Sequence, residues 1–364
     1  MTEGQTDVRM WVTAVILMGG DTRDPDACIR SLLRGTYVPG ILIVDDSAGR
    51  LPEETYKEKY PGITIFRTGL KTGKWHAANC GLHLVRTPYA LLLSPDVQAG
   101  RSMTERLLDA MLAEERCYAA QARIVRAGEP GRTESTGVLL SAAGQVGRRD
   151  RGRTAKGFRP GTVFAPDVRA AMFSMNAIED IGLFDERLTG IAAEADLGCR
   201  AQRIDGKCLF VPGARAGISE EGSLRDSADD PHAAAEALYV LDKNLPAPLL
   251  ALCAPARAAG TRLLRKRYAQ GGDDTIWQKA IERSRSLSAV RIREDLLREA
   301  GVSVTKQPLP EESLTRPEDP ACGKVYPLYV GTGMRTEAGD LPSVACLAWQ
   351  LVRNIPGAAR RTEN

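Results

Sequence analysis

Short apolar runs alternate with amphipathic stretches along the N-terminal part of the chain, and this alternation constrains the fold more than any other feature. The strand-like runs are residues 11–18, 41–44, 63–68 and 87–96. Helical patterns lie between them in DACIRSLLRG, which follows an Asp-Pro start signal, and in NCGLHLV. Strands that alternate with helices at this spacing predict an α/β fold with a doubly wound, mostly parallel sheet.

Two of the predicted strands end in acidic residues. Asp45 and Asp46 follow the second run, and Asp96 ends the fourth. Ligands of such sheets bind outside the carboxyl ends of the strands, so these carboxylates stand where a site is expected. Two simpler interpretations remain open. The Asp pair could form an Asx turn before Ser47, and Asp96 could cap a following helix.

Composition narrows the class of protein. The chain has 364 residues and a formal net charge of +3, which does not call for a nucleic-acid partner. Its eight cysteines are dispersed, without zinc spacing, and predict reduced thiols in a reducing compartment. The N-terminal apolar run lacks the features of a signal peptide. We therefore expect a cytoplasmic protein, either soluble or peripheral at a membrane.

Changes in composition suggest three regions. Residues 1–245 would form the α/β domain, 246–300 a helical basic extension, and 301–364 a proline-rich linker with a C-terminal segment. Basic residues between Arg257 and Arg298 predict amphipathic helices that either rest on anionic lipid or pack on the α/β domain. The stretch RDRGRTAKGFRPG, at residues 149–161, predicts a mobile basic loop between halves of the α/β domain, with an anionic partner.

Four sequence blocks occur in an order that resembles a known family. They are VTAVILMGGDTRDPDACIRSLLRGTYVPGILIVDDSAG, NCGLHLVRTPYALLLSPDVQ, IGLFDERLTGIAAEADLGCRAQRIDGKCLFVPGARAG and YVLDKNLP. In this order they resemble the family 2 glycosyltransferases of the GT-A fold, especially bacterial rhamnosyltransferase-like members. The resemblance implies an inverting transferase that moves a sugar from a nucleoside-diphosphate donor to a hydroxyl acceptor.

The resemblance also implies roles for individual residues. Asp46 would bind the nucleobase and ribose, Asp96 would hold Mg²⁺ or Mn²⁺ with the donor's diphosphate, and Glu194 would be the catalytic base. The implied donor-binding set is Met18, Gly20, Asp45, Asp46, Lys74 and Asp96. The implied acceptor-binding set is Asp185 and Asp196.

This chain departs from the family pattern at the metal site. Ser94-Pro95 replaces an acidic position, and Gly217-Ile218-Ser219 stands where a histidine ligand is frequent. Basic side chains could instead neutralise the diphosphate, namely those of Lys71, Lys74, His76 and the basic loop 148–156. The simpler interpretation is that these are solvated surface residues.

Other interpretations stay open for the base and for the function. Glu194 could be an ordinary helix residue, with Asp196 paired to Arg200 at i,i+4. A catalytically impaired module that binds nucleotide sugar or a partner without turnover is the main alternative function. A nucleotidyltransferase would require a glycine-rich loop that MGGDTRDP matches poorly. The acceptor would be a glycan, a lipid-linked sugar or a small metabolite.

Overall fold

The computed structural model describes residues 11–19, 24–69, 71–126, 128–129, 131–154, 157–219 and 231–269, together with 278–279, 281–282 and 286. Within these ranges an extended β-sheet carries helices on both faces. The first part of the chain forms β1 (Val12–Met18), α1 (Asp26–Leu33), β2 (Gly40–Asp45), α2 (Glu53–Lys59), β3 (Thr64–Arg67), α3 (Lys74–Leu84), β4 (Tyr89–Leu93), β5 (Val97–Ala99) and α4 (Met103–Leu112).

The second part adds the rest of the sheet and the remaining helices. Its elements are β6 (Cys117–Arg126), β7 (Thr133–Ser135), β8 (Val138–Leu140), β9 (Val146–Arg148), β10 (Gly161–Val163), β11 (Ala170–Ser174), α5 (Met175–Ile181), α6 (Gly190–Arg203), β12 (Lys207–Ile218), α7 (Pro231–Asn244) and α8 (Ala247–Ala269).

The main sheet has the strand order β10-β12-β6-β11-β4-β1-β2-β3, with β5 paired to β12 and β7 to β6. Strands β3, β2, β1 and β4 are mutually parallel, as are β6 and β12. Strand β11 runs antiparallel between β4 and β6, and β10 is antiparallel at the edge. The carboxyl ends of β1, β2 and β4 therefore share one edge with the beginning of β11.

Each face of the sheet has its own apolar core. Along β1, Val15 and Leu17 pack with α3, α6 and α7, whereas Ile16 and Met18 pack with α1 and α4 on the other face. Gly81 lets α3 lie directly on the sheet, because a Cβ there would come within 2.6 Å of Val15 Cγ1. These two covered faces confirm the doubly wound, mostly parallel α/β sheet.

The sequence pattern located β1 to β4 and α1 well, but two features differ from expectation. Helix α3 begins at Lys74, five positions before the predicted start, because the polar residues of its first turn conceal the helical period. Asp96 precedes the short strand β5, while α4 begins only at Met103, so Asp96 caps no helix. The capping interpretation of Asp96 was therefore wrong.

The first residues of the predicted mobile basic loop pair with carboxylates of the same domain. Arg148 ends β9 with its side chain 1% exposed, and Arg151 pairs with buried Glu134. Beyond Arg151 the described residues of the stretch are mostly exposed, among them Gly152, Arg153 and Thr154, so carboxylates of the same domain hold only its first part. Residues 155 and 156 lie outside the described residues.

Helix α8 occupies the start of the predicted basic extension. Its Cys253 joins the core, Arg257 lies 2.6 Å from Asp242 of α7, and a Cβ on Gly260 would come within 2.2 Å of the Ala143 carbonyl oxygen. The described part of the extension thus packs on the α/β domain. Residues 301–364 and most of 270–300 lie outside the described residues. Of the helices that are described, none is both long and apolar enough to cross a bilayer.

Candidate functional site

Asp45 and Asp46 lie at the carboxyl end of β2, both almost completely buried. The Asp46 amide donates to the Met18 carbonyl at 2.9 Å, which joins the ends of β2 and β1. Asp45 Oδ1 accepts the Ser47 amide at 2.9 Å, so the Asx turn is present. Its other oxygen, Oδ2, lies 3.5 Å from Arg67 Nε. Asp45 therefore shapes the end of the strand.

Asp46 holds the segment that leads into α3. Its Oδ1 accepts hydrogen bonds from the Thr72 amide at 2.7 Å and from the hydroxyls of Thr68 and Thr72. Its Oδ2 accepts the Gly73 amide at 2.9 Å. Gly73 has a φ of 105°, a conformation that favours glycine, and it immediately precedes Lys74 at the helix start. Asp46 thus fixes the position of the first turn of α3.

Asp96 follows β4 and lies beside the end of β12. The Ser219 hydroxyl donates to Asp96 Oδ2 at 3.1 Å. Strand β5 makes this contact possible because its antiparallel pairing sets Val97 opposite Ile218. The position where the family frequently has a histidine therefore does reach the predicted metal-binding carboxylate, but with a hydroxyl.

Glu194 lies on α6 with a side chain that is 0% exposed. Its Oε1 is 3.8 Å from Lys74 Nζ, and its Oε2 is 3.5 Å from Arg148 Nη1. Lys74 is about one third exposed, whereas Arg148 is buried. Of these two cations beside the predicted base, Lys74 is therefore the one that reaches solvent.

Arg148 connects Glu194 to a buried charge cluster at the beginning of β11. Asp167 pairs with Arg148 and accepts two-pronged hydrogen bonds from Arg169, whose Nη1 also lies 3.8 Å from Glu134 Oε1. Burial alone would raise the pKa of Asp167, but the charges of Arg148 and Arg169 hold it well below its usual range. Sequence reasoning missed Asp167, Arg169 and Glu134. The only available signal was Asp and Arg two positions apart directly before an apolar strand.

Asp185 and Asp196, the predicted acceptor-binding residues, meet in a second buried network. Lys243 of α7 donates to Asp185 Oδ2 at 2.9 Å and to Asp196 Oδ2 at 3.0 Å. Arg187 forms a two-pronged pair with Asp185, and Asn244 donates to Asp196 Oδ1. The lysine and asparagine come from the DKN of the fourth sequence block. This network ties α7 to α6.

The i,i+4 pair between Asp196 and Arg200 is confirmed at 2.9 Å. Arg200 also donates to three carbonyls of the turn that follows α5. Burial would raise the pKa values of Asp185 and Asp196, yet in each case Lys243 and a neighbouring arginine outweigh it and lower the pKa. Both carboxylates are therefore ionised in the folded protein, and buried cations hold them in place.

The remaining predicted residues are distributed as follows. Met18 is buried and contributes its carbonyl. Gly20 lies outside the described residues. His76 does not join the Lys74–Glu194 pair, since its Nδ1 is 3.1 Å from Glu186 Oε2. Asp46, Lys74 and Glu194 are thus brought together, whereas Asp185 and Asp196 lie in a separate network.

Asp96 and Ser219 offer hard oxygen atoms of the kind that Mg²⁺ and Mn²⁺ bind while keeping water ligands. Among the described residues, no group of three or more His, Cys, Asp and Glu side chains could hold a metal ion by itself. The residues present therefore fit a metal that takes its other ligands from a phosphate group and water.

Residues 26–182 match the model of glycosyl transferase family 2. This range contains the ends of β2 and β4 and both Asp46 and Asp96, and it stops before Glu194 on α6. None of the curated proteins matches the chain.

The chain is similar to several solved structures, each at low sequence identity. One is GalNAc-T7 with UDP, GalNAc and Mn²⁺, at 16% identity and a TM-score of 0.49, covering 65% of this chain and 48% of that one. Another is S. aureus TarS 1-349, at 12% identity and a TM-score of 0.46, covering 72% and 92%. The mannosyltransferase PcManGT from Pyrobaculum calidifontis, with GDP-Man and Mn²⁺, gives 14% identity and a TM-score of 0.46, covering 79% and 87%. The chain thus spans about half the length of GalNAc-T7.

Proposed function

We propose that this chain, whose residues 26–182 match the model of glycosyl transferase family 2, moves a hexosyl or deoxyhexosyl group from a nucleoside-diphosphate donor to a hydroxyl acceptor with inversion. One observation carries the proposal. Asp46 fastens Gly73, Lys74 follows Gly73, and Lys74 lies 3.8 Å from Glu194. The candidate donor site and the candidate base are therefore joined through the first turn of α3.

In the proposed reaction the acceptor hydroxyl loses its proton to Glu194 as its oxygen attacks the anomeric carbon. The bond from that carbon to the diphosphate oxygen breaks on the opposite face, so the configuration inverts. A base must lie within hydrogen-bond reach of the proton that it takes. Lys74 therefore has to leave Glu194 before the acceptor can reach the carboxylate.

The Lys74–Glu194 contact provides a way to couple donor binding to base activation. Lysine binds phosphate oxygens well. When the donor's diphosphate attracts Lys74, the lysine leaves Glu194 Oε1 to the acceptor hydroxyl. Donor binding would thereby prepare the base and open its path to the acceptor. Arg148 stays beside Glu194 and keeps the carboxylate in position.

A divalent cation bound by Asp96 would neutralise charge on the leaving diphosphate. Ser219 would orient Asp96 through its hydrogen bond. Asp46 would hold the backbone segment around Gly73 in position. Lys74 would pair with the negative charge of the donor's phosphate groups. If the acceptor is lipid-linked, basic residues of α8 would contact anionic lipid at the membrane surface. The described part of this helix also packs on the α/β domain.

The alternative is a module that binds nucleotide sugar without turnover. It is favoured by the complete burial of Glu194 between two cations, an arrangement that also suits a purely structural ion pair. The two functions differ in their products. Only the transferase releases nucleoside diphosphate from the donor.

Two measurements on the full chain test the proposal. A thermal-shift panel of UDP-, dTDP- and GDP-sugars with and without Mn²⁺ should identify the donor, because a ligand specific for the folded state raises the melting temperature. Release of nucleoside diphosphate from that donor should then be detectable with metal present. A donor that stabilises the chain but is never cleaved, with a panel of hydroxyl acceptors present, would establish the binding module instead.

A further inference from the structure

Cys80, His76 and Glu186 form a hydrogen-bonded series outside the Lys74–Glu194 contact. Cys80 Sγ lies 3.5 Å from His76 Nε2, and His76 Nδ1 lies 3.1 Å from Glu186 Oε2. Cys80 and His76 are four residues apart and share one face of α3. Glu186 comes from the turn before α6. A thiol, an imidazole and a carboxylate are thus arranged in the order used to activate cysteine nucleophiles.

The carboxylate in this series is itself held in place. Asn79 donates to Glu186 Oε1 at 2.7 Å and to the Phe184 carbonyl at 3.0 Å. The Phe184 amide in turn donates to Asn79 Oδ1 at 2.9 Å. Glu186 therefore cannot swing away from His76 without breaking bonds that join α3 to the turn. This fixation keeps His76 Nε2 directed at the sulfur.

The imidazole is held in its charged form. Burial alone would lower the pKa of His76, but the hydrogen bonds with Cys80 and Glu186 outweigh it and raise the pKa to about 10. With both ring nitrogens protonated, Nδ1 donates to the carboxylate and Nε2 donates to the sulfur. The charged ring thus places an N–H donor at Cys80 Sγ, the atom that would act as the nucleophile.

Cys80 differs from the other cysteines that the structure describes. The buried thiols are Cys28, Cys117, Cys199, Cys208 and Cys253. Burial raises the pKa of each of these five. Cys80 is the partly exposed one of the six, and its sulfur is the one with a histidine hydrogen bond. The hydrogen bond to a histidine and partial exposure therefore coincide at one cysteine of the described residues.

We propose that Cys80 is a modification site at which the chain exchanges with small-molecule disulfides. The Cys80 thiolate attacks one sulfur of the disulfide, a new S–S bond forms at Cys80, the old S–S bond breaks, and the second half leaves as a thiolate. The reaction needs no further oxidant, because the disulfide is the oxidising partner. The added group would separate Cys80 from His76 beside the turn that Asn79 holds.

The proposal is tested on the full chain with 2-hydroxyethyl disulfide at about pH 7, with each cysteine-containing peptide followed by mass spectrometry. An ordinary thiol is only a few per cent ionised there. We expect Cys80 to react on the order of tenfold faster than a cysteine in an unstructured peptide of the same local sequence. His76→Gln should remove most of that advantage, and Glu186→Gln should remove part of it.

Two controls separate activation from a general loosening of the fold. His232→Gln, on α7, should leave the Cys80 rate unchanged. Circular dichroism and the melting temperature of each variant identify any that unfolds, and unfolding would make the five buried cysteines react as well. If Cys80 reacts no faster than the peptide, or equally fast in folded His76→Gln, the proposal is wrong. Because the readout is chemical labelling, it does not depend on sugar transfer.

Discussion

Lys74 Nζ lies 3.8 Å from Glu194 Oε1, and this contact joins the first turn of α3 to α6 across the candidate site. One end of the pair is fixed by Asp46 through Gly73, and the other by Arg148 at 3.5 Å from Glu194 Oε2. The partly exposed member is the lysine. The pair can therefore open by movement of Lys74 alone, while Glu194 keeps its place.

Glu194→Gln should reduce turnover about 10²- to 10⁴-fold, because glutamine keeps the shape of the side chain but cannot take the acceptor's proton. The donor dissociation constant should barely change. Steady-state kinetics and calorimetry on the same preparation measure both quantities. Near wild-type transfer by a folded Glu194→Gln variant would place the base elsewhere, and the motif alignment that assigns Glu194 would be wrong.

Asp46→Ala should raise the donor dissociation constant strongly. The variant loses the acceptor for the Thr72 and Gly73 amides, so the segment before α3 is no longer held beside β2. The melting temperature should fall only modestly, since the core on both faces is untouched. Thr72→Ala is the matched control, because it removes one hydroxyl hydrogen bond and keeps the carboxylate. Unchanged calorimetric affinity in Asp46→Ala would remove Asp46 from the donor site.

The parts of this fold that depend on local sequence were predictable, and those that depend on distant partners were not. Strands β2 and β4 show their apolar runs directly, and the acidic residues that follow them, Asp45, Asp46 and Asp96, lie at one edge of the sheet. The Lys243–Asp185 contact spans 58 positions, so no local pattern could reveal that a buried lysine holds Asp185. The same holds for Arg148. It lies at the start of a basic stretch that predicts an exposed loop, yet its side chain pairs with the buried carboxylates of Asp167 and Glu194.

Asp196→Asn should act on stability. The substitution leaves Lys243 and Arg200 buried without their full counter-charge, and loss of one partner of such a pair typically costs about 3–5 kcal/mol. The melting temperature should fall markedly, while turnover of the remaining folded enzyme should change much less than in Glu194→Gln. Asp205→Asn is a suitable control, since its pair with Arg116 is exposed. Equal melting temperatures for the two variants would contradict this assignment.

Stability should fall in acid. The pKa values of Asp167, Asp185 and Asp196 are all lowered in the folded protein, so these groups stabilise it fully above their unfolded pKa of about 4 and lose that contribution as the pH falls further. Melting temperatures measured between about pH 6 and pH 3 should therefore drop steeply below about pH 4. Asp185→Asn removes one of the three ionisations, so its melting temperature should depend less on pH. A slope equal to that of the wild type would contradict the lowered pKa of Asp185.

Ser219→His should strengthen metal binding at Asp96. The Ser219 hydroxyl already lies 3.1 Å from Asp96 Oδ2, so a histidine there could add a ring nitrogen to the carboxylate ligand. One added ligand worth about 1.4 kcal/mol corresponds to about a tenfold tighter dissociation constant for Mn²⁺. Calorimetry with Mn²⁺ and a saturating nucleoside diphosphate measures it directly, with Ser219→Ala as the variant that removes the hydroxyl and adds no ligand. The double variant Asp96→Ala/Ser219→His should not bind Mn²⁺ more tightly, because the Asp96 carboxylate that would coordinate the same ion is then missing. If a folded Ser219→His variant binds Mn²⁺ no more tightly than Ser219→Ala, the cation does not sit between β4 and β12, and Lys74 would remain as the candidate charge for the diphosphate.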